Sequence, residues 1–105
     1  MPSLNNANCR IYWRTDGNPE LPALVLSNSL GTDHTLWDPI LEELLKYFYV
    51  VRYDTRGHGG SDAPTGDYTL NELTDDVQAV IAAARLTKYD FCGISLGGMT
   101  GMELA

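Results

Sequence analysis

Apolar and polar positions along this chain fall into blocks whose period changes. Cys9-Arg10-Ile11-Tyr12-Trp13-Arg14 alternates with period two, Ile11 and Trp13 sharing one face, and predicts an amphipathic strand. A short strand at residues 3–5 is expected to pair with it through the turn Asn5-Asn6-Ala7-Asn8. Asp16-Gly17-Asn18-Pro19 is a cluster of turn formers. Ala23-Leu24-Val25-Leu26 is apolar without interruption, which suits a central strand covered on both faces. Trp37, Ile40, Leu41, Leu44, Leu45 and Phe48 then recur at helical spacing, with Glu42, Glu43 and Lys46 outside, and predict a buried stripe on a helix over 36–47. Pro39 falls in its first turn, where proline is tolerated.

The pattern repeats downstream. Tyr49-Val50-Val51-Arg52-Tyr53-Asp54 reads as a strand, followed by the glycine-rich loop Arg56-Gly57-His58-Gly59-Gly60-Ser61. A second helix begins near Thr69, where Thr69-Leu70-Asn71-Glu72 fits a capping box. Leu70, Leu73, Val77, Val80, Ile81 and Ala84 form its inner stripe, and Asp75 and Asp76 read as a solvated face near its positive end. Tyr89-Asp90-Phe91-Cys92 is a last strand. Strand and helix alternate from residue 23 onward, so the expected fold is α/β with a mostly parallel sheet.

The junction after that strand carries the chemistry. Gly93-Ile94-Ser95-Leu96-Gly97-Gly98 is a G-x-S-x-G run between a strand and a helix, the pattern of a nucleophile elbow. Gly93 and Gly97 remove side chains from a tight turn, so Ser95 can sit at its tip with Oγ exposed. The Leu96 N–H would point to where an oxyanion forms, and the helix adds its positive end. The bland alternative is a strand-to-helix turn without chemistry. A serine nucleophile needs a base, and in such hydrolases the acid and histidine follow the serine in chain order. No histidine follows Ser95, so both are expected outside this sequence and the isolated chain is expected to be inactive.

With 105 residues, 44% hydrophobic and 20% charged, one small globular domain is expected. A net charge of −7 argues against nucleic acid and anionic membrane surfaces as partners. No apolar stretch approaches a membrane span. Residues 1–6 carry no basic segment followed by an apolar one, so a cytoplasmic location is expected. Cys9 and Cys92 lack metal or redox spacing and read as reduced thiols, Cys92 as packing on a buried strand. The residues imply no cofactor and no metal.

Three segments carry a family resemblance: Gly93-Ile94-Ser95-Leu96-Gly97-Gly98-Met99, Tyr53-Asp54-Thr55-Arg56-Gly57-His58-Gly59-Gly60-Ser61-Asp62, and Leu26-Ser27-Asn28-Ser29-Leu30-Gly31-Thr32 with Trp37 beyond it. With them the chain resembles the α/β-hydrolase fold superfamily, and within it the 3-oxoadipate enol-lactonases, over about the first two-fifths of a family member. The resemblance implies Ser95 as nucleophile and the N–H groups of Leu96 and Leu30 as oxyanion donors. It makes His58 a loop brace rather than the base, and Arg56, Asp54 and Asp62 likewise bracing charges. Trp37 reads as core by its spacing, with a substrate-binding place in the acyl site as the alternative; His34, near the oxyanion loop, is expected to face solvent, with contact to substrate as the alternative.

The activity so implied is cofactor-free hydrolysis of a small-molecule ester or lactone, most specifically 3-oxoadipate enol-lactone in aromatic catabolism. General carboxylesterases and haloperoxidase-like perhydrolases share the elbow. Dehalogenases and epoxide hydrolases carry Asp at the serine's position and are disfavoured. A non-catalytic binding or remnant domain is the reading from outside enzymology. Self-association through an exposed sheet edge is expected of the chain alone.

Overall fold

Strand and helix alternate as the pattern predicts. The structure is a computed structural model and describes residues 3–6, 9–29, 31–63 and 68–104. The elements are β1 (Ser3–Asn6), β2 (Cys9–Asp16), β3 (Ala23–Ser27), a 3-10 turn (His34–Trp37), α1 (Asp38–Leu44), β4 (Tyr49–Tyr53), α2 (Leu70–Ala83), β5 (Asp90–Gly93) and α3 (Leu96–Leu104). One five-stranded sheet has the order β1-β2-β4-β3-β5. β3 runs parallel to β4 and β5, while β2 is antiparallel to β4 and to β1. Four strands therefore point one way and β2 the other.

The uninterrupted apolar runs of β3 and β4 feed two cores, because successive side chains leave a strand on opposite faces. Val25, Val51 and Tyr53 join Cys9, Ile11, Val77 and Val80 on the face that α2 covers. Leu24, Leu26 and Val50 join Trp37 on the other face, with Leu36, Leu41, Leu44, Leu45 and Phe48 packed around them. The capping box of α2 is formed: Glu72 N donates to Thr69 Oγ1 (3.1 Å) and Thr69 N to Glu72 Oε1 (3.0 Å). The Thr69 backbone bond holds the Glu72 carboxyl below its ordinary range.

Four expectations need correction. The single helix over 36–47 is a 3-10 turn followed by the seven-residue α1. Leu41, Leu44 and Leu45 fill the side toward the sheet at i, i+3 and i+4, and Ile40, one position off that stripe, is 48% exposed. Asp76 is not on a solvated face. It is fully buried, three residues after Leu73 and four before Val80, on the inner stripe of α2. Cys92 is exposed rather than packed. Phe91 leans on the core beneath α2, so Cys92 points to the opposite face, and β5 pairs only with β3 among the described residues. His34, expected in solvent, is tied into the fold as set out below.

Two buried cations brace the sheet. Arg52 on β4 donates to Asp38 at the start of α1 (2.8 Å), to the His34 carbonyl (3.1 Å) and to Asp16 (3.0 Å). Arg56, just beyond β4, grips Asp76 through Nε (2.6 Å) and Nη2 (2.9 Å) and reaches Glu72 through Nη1 (3.1 Å). The Asp76 hydrogen bonds push the Arg56 guanidinium above its ordinary value.

Candidate active site

Because β3, β4 and β5 are parallel, the segments that follow them gather at one end of the sheet. In open α/β sheets ligands bind outside the carboxyl ends of the strands. Here that end collects the loop after β3, the loop after β4 and the turn from β5 into α3.

The turn has the shape its glycines predict. Ser95 has φ +55°, in the left-handed region that non-glycine residues enter at a cost of about 1–2 kcal/mol. Surrounding bonds fix it there: Ile94 N donates to Ser27 O (3.3 Å), Gly97 N to Ile94 O (3.0 Å) and Met99 N to Ser95 O (3.1 Å). A Cβ on Gly93 would collide with the Gly97 carbonyl, and a Cβ on Gly97 with Ser27 O. The turn is thus pressed against the end of β3, and Ser95 is exposed at its tip. Leu96 is the first residue of α3, so its N–H is one of the four that a helix leaves without an internal partner. Leu30, the expected second donor, lies outside the described residues.

The loop after β3 is anchored by Asn28, which is fully buried. Its Nδ2 donates to the Tyr53 carbonyl (2.7 Å), and its Oδ1 accepts from the Trp37 indole (2.8 Å). Trp37 is therefore placed in the core under α1, with its polar atom spent on this loop. Ser27 Oγ and the Tyr53 hydroxyl lie 2.6 Å apart, and burial pushes the Tyr53 phenol up. The sequence signal for Asn28 is an asparagine directly after a buried strand.

The loop after β4 is folded around Asp54. Its Oδ1 accepts from the His34 backbone N–H (2.8 Å) and from His34 Nδ1 (2.7 Å), and its Oδ2 from Gly60 N (2.8 Å). His34 also packs its ring against Tyr12, with centroids 4.9 Å apart. Asp62 accepts from Arg10 N (2.9 Å). Asp33, His34 and Asp54 bring ligand atoms within 4.8 Å of one another. Asp33 is spent on the Thr35 backbone and hydroxyl and Asp54 on His34 and Gly60, so the fold accounts for this cluster. His58 braces more than its own loop: Nε2 accepts from Gly31 N (2.9 Å), and Nδ1 lies 3.2 Å from the Arg56 carbonyl. In this arrangement the acceptor nitrogen of His58 is engaged by the Gly31 amide.

A cleft of about 570 Å³ opens between the two loops, lined by Gly31, Asp33, Leu36, His58 and Gly59 among others. A larger one, about 780 Å³, lies at the other end of the sheet against Pro22, Ala23, Tyr49 and Asp90. The smaller cleft lies at the end where Ser95 sits, although Ser95 lines neither. No helix among the described residues is long and apolar enough to cross a membrane.

A mixed sheet in which one of the parallel strands runs through a strained serine into a helix defines a class, and comparison with known proteins agrees. The chain belongs to the alpha/beta hydrolase fold family, whose model matches residues 22–105. It is 39% identical over 103 residues to 3-oxoadipate enol-lactonase 2 of Acinetobacter baylyi, covering 98% of this chain and 39% of that protein. The crystal structure of the enol-lactonase from Burkholderia xenovorans LB400 superposes with a TM-score of 0.94 at 45% identity, covering 99% of this chain and 41% of that one. RutD of Agrobacterium fabrum, whose name marks it as a candidate carbamate hydrolase, is 37% identical over 97 residues, 90% of this chain and 36% of that protein. The chain thus spans about two-fifths of the length of these relatives.

Proposed function

We propose that this chain is the N-terminal part of a cofactor-free serine hydrolase of carboxylic esters and lactones. The observation that carries this is Ser95 held at φ +55° at the mouth of parallel strands, between two glycines that close packing requires. Ser95 Oγ attacks the carbonyl carbon, and the carbonyl electron pair moves onto its oxygen. The N–H groups of Leu96 and Leu30 donate hydrogen bonds to the oxyanion so formed. The Ser95 proton passes to a histidine that the remainder of the domain supplies, together with its carboxylate partner. Collapse expels the ester or enol oxygen, which takes that proton, and water then releases the acyl group from Ser95. His58, Asp54, Arg56 and Asp62 shape the loops, and Trp37 supports the site from below through Asn28.

The substrate we infer is a small enol-lactone of the 3-oxoadipate type. The likeness to enol-lactonases over nearly the whole chain supports it. The likeness to RutD makes a carbamate the comparison substrate. The test is a chimera in which this chain replaces the stretch it matches in the Acinetobacter baylyi enol-lactonase. It is expected to open 3-oxoadipate enol-lactone faster than p-nitrophenyl acetate or a simple carbamate. Ser95→Ala should lower kcat at least about 10³-fold with an unchanged melting temperature. A Ser95→Ala chimera that keeps a tenth of its turnover would overturn the role of Ser95; a carbamate preference would overturn the substrate.

A further inference from the structure

The loop after β3 is tied at both ends but has open space beside Gly31. Asn28 fixes its start on Tyr53 and Trp37. At its end, Thr32 N (3.3 Å) and Thr32 Oγ1 (2.7 Å) both donate to the Ser29 carbonyl. Between them Gly31 stands at φ +79°, and a Cβ built there would meet nothing within 4 Å. A side chain at Gly31 would therefore meet open space. A hydrogen bond reaches it from across the cleft, Gly31 N to His58 Nε2 at 2.9 Å.

The far end of that tether is rigid. His58 N donates to Thr55 O (2.9 Å), and Ser61 N donates to His58 O (3.1 Å). Because Nε2 accepts an N–H, the ring proton sits on Nδ1 and is donated to the Arg56 carbonyl. Arg56 is itself buried and doubly bonded to Asp76 on α2. A chain of bonds thus runs from the inner face of α2 through Arg56 and His58 to Gly31. A brace of the loop after β4 alone would need only the Nδ1 contact. The second nitrogen is spent on a different loop, the one expected to carry an oxyanion donor.

The geometry points to His58 as a positioning residue for the expected oxyanion loop: its Nε2 holds the Gly31 amide, the residue directly after the expected donor Leu30. This inference rests on the reading of Ser95 as nucleophile. An oxyanion hole works through donors fixed before reaction, so a loosened loop costs turnover more than binding. Removal of one donor outright lowers kcat about 10²–10³-fold, and loss of the tether leaves the donor present but mobile. His58→Ala is therefore expected to lower kcat by about 10- to 100-fold with little change in KM. Glutamine places an amide oxygen near the reach of Nε2, so His58→Gln should recover most of that loss.

The test has a structural arm and a kinetic arm. In the unsubstituted 105-residue chain, nitrogen NMR of the His58 ring should show a protonated Nδ1 and a bare Nε2 coupled to the Gly31 amide; a protonated Nε2 overturns the tether with no variant made. Amide exchange at Gly31 should quicken at least tenfold in His58→Ala and return toward the original rate in His58→Gln. In the enol-lactonase chimera, kcat should fall and recover in the same order. If Gly31 exchange quickens while kcat stays unchanged, the positioning role is refuted although the bond exists. If turnover instead survives Ser95→Ala, the proposed function has failed, and that outcome differs from any change at His58.

Discussion

Removing the Asp76 carboxylate should be among the costliest single changes in this chain. Asp76 and Arg56 are 1% and 5% exposed, and Asp76 accepts two bonds from Arg56 and one from Asn6 Nδ2 (2.8 Å). Taking one partner from a buried pair costs about 3–5 kcal/mol, because the other charge stays buried. Glu72 remains on Arg56 Nη1, but its side chain is half-exposed, and pairs of that kind contribute about 0–1 kcal/mol. Asp76→Ala should therefore cost about 3 kcal/mol, a large share of the roughly 5–15 kcal/mol typical of a domain. Asp76→Asn keeps the shape and one acceptor and should cost about 2 kcal/mol. Urea titration followed by the fluorescence of buried Trp37 measures both, and Arg56→Met/Asp76→Leu should recover part of the loss. A cost below about 1 kcal/mol for Asp76→Ala, at an unchanged urea slope, would refute the reasoning and place Arg56 in water.

Other outcomes follow from particular contacts. Gly97→Ala puts a Cβ into Ser27 O, a backbone atom that cannot swing away, so it should cost about 3 kcal/mol, the upper end of the usual overpacking range; thermal melting checks it. Burial raises the Asp16 carboxyl, but hydrogen bonds from Arg14 and Arg52 outweigh burial and hold it below its ordinary value. A depressed folded value means stability that is present above the unfolded value and lost as pH falls through the folded one. Asp16→Asn should flatten the fall of the urea midpoint below about pH 4. Burial pushes the Cys9 thiol up, whereas Cys92 is exposed. In the native chain a disulfide reagent should therefore modify Cys92 quickly and Cys9 only on unfolding, as peptide mapping would report.

The elements that were plain in the sequence share a local cause. Leu24-Val25-Leu26 and Val50-Val51 are apolar at every position because both faces of their strands are covered. Thr69 and Glu72 cap α2 from three residues apart, and Gly93 and Gly97 flank Ser95 within five, so each motif contains its own geometry. What was misread depends on partners far away in the chain. Charge alone places Asp76 on the wet side of α2, whereas its position between Leu73 and Val80 puts it inside; the cation that makes this tolerable lies twenty residues earlier, on a loop. His34 and Asp54 meet across the same separation, and His58 serves a loop 27 residues before it. The run around Cys92 suits a buried strand, but a strand's place in the sheet order is not written in its own residues.

The central claim, that Ser95 is the nucleophile, is tested most directly by trapping the acyl group. The enol-lactonase chimera is incubated with a slowly deacylating ester, quenched in acid, digested and mapped by mass spectrometry. The account predicts one acyl adduct, on the peptide containing Gly93-Ile94-Ser95-Leu96-Gly97 and on the Ser95 oxygen, absent from Ser95→Ala. An adduct on any other residue of this chain, or turnover with no adduct in Ser95→Ala, would contradict it.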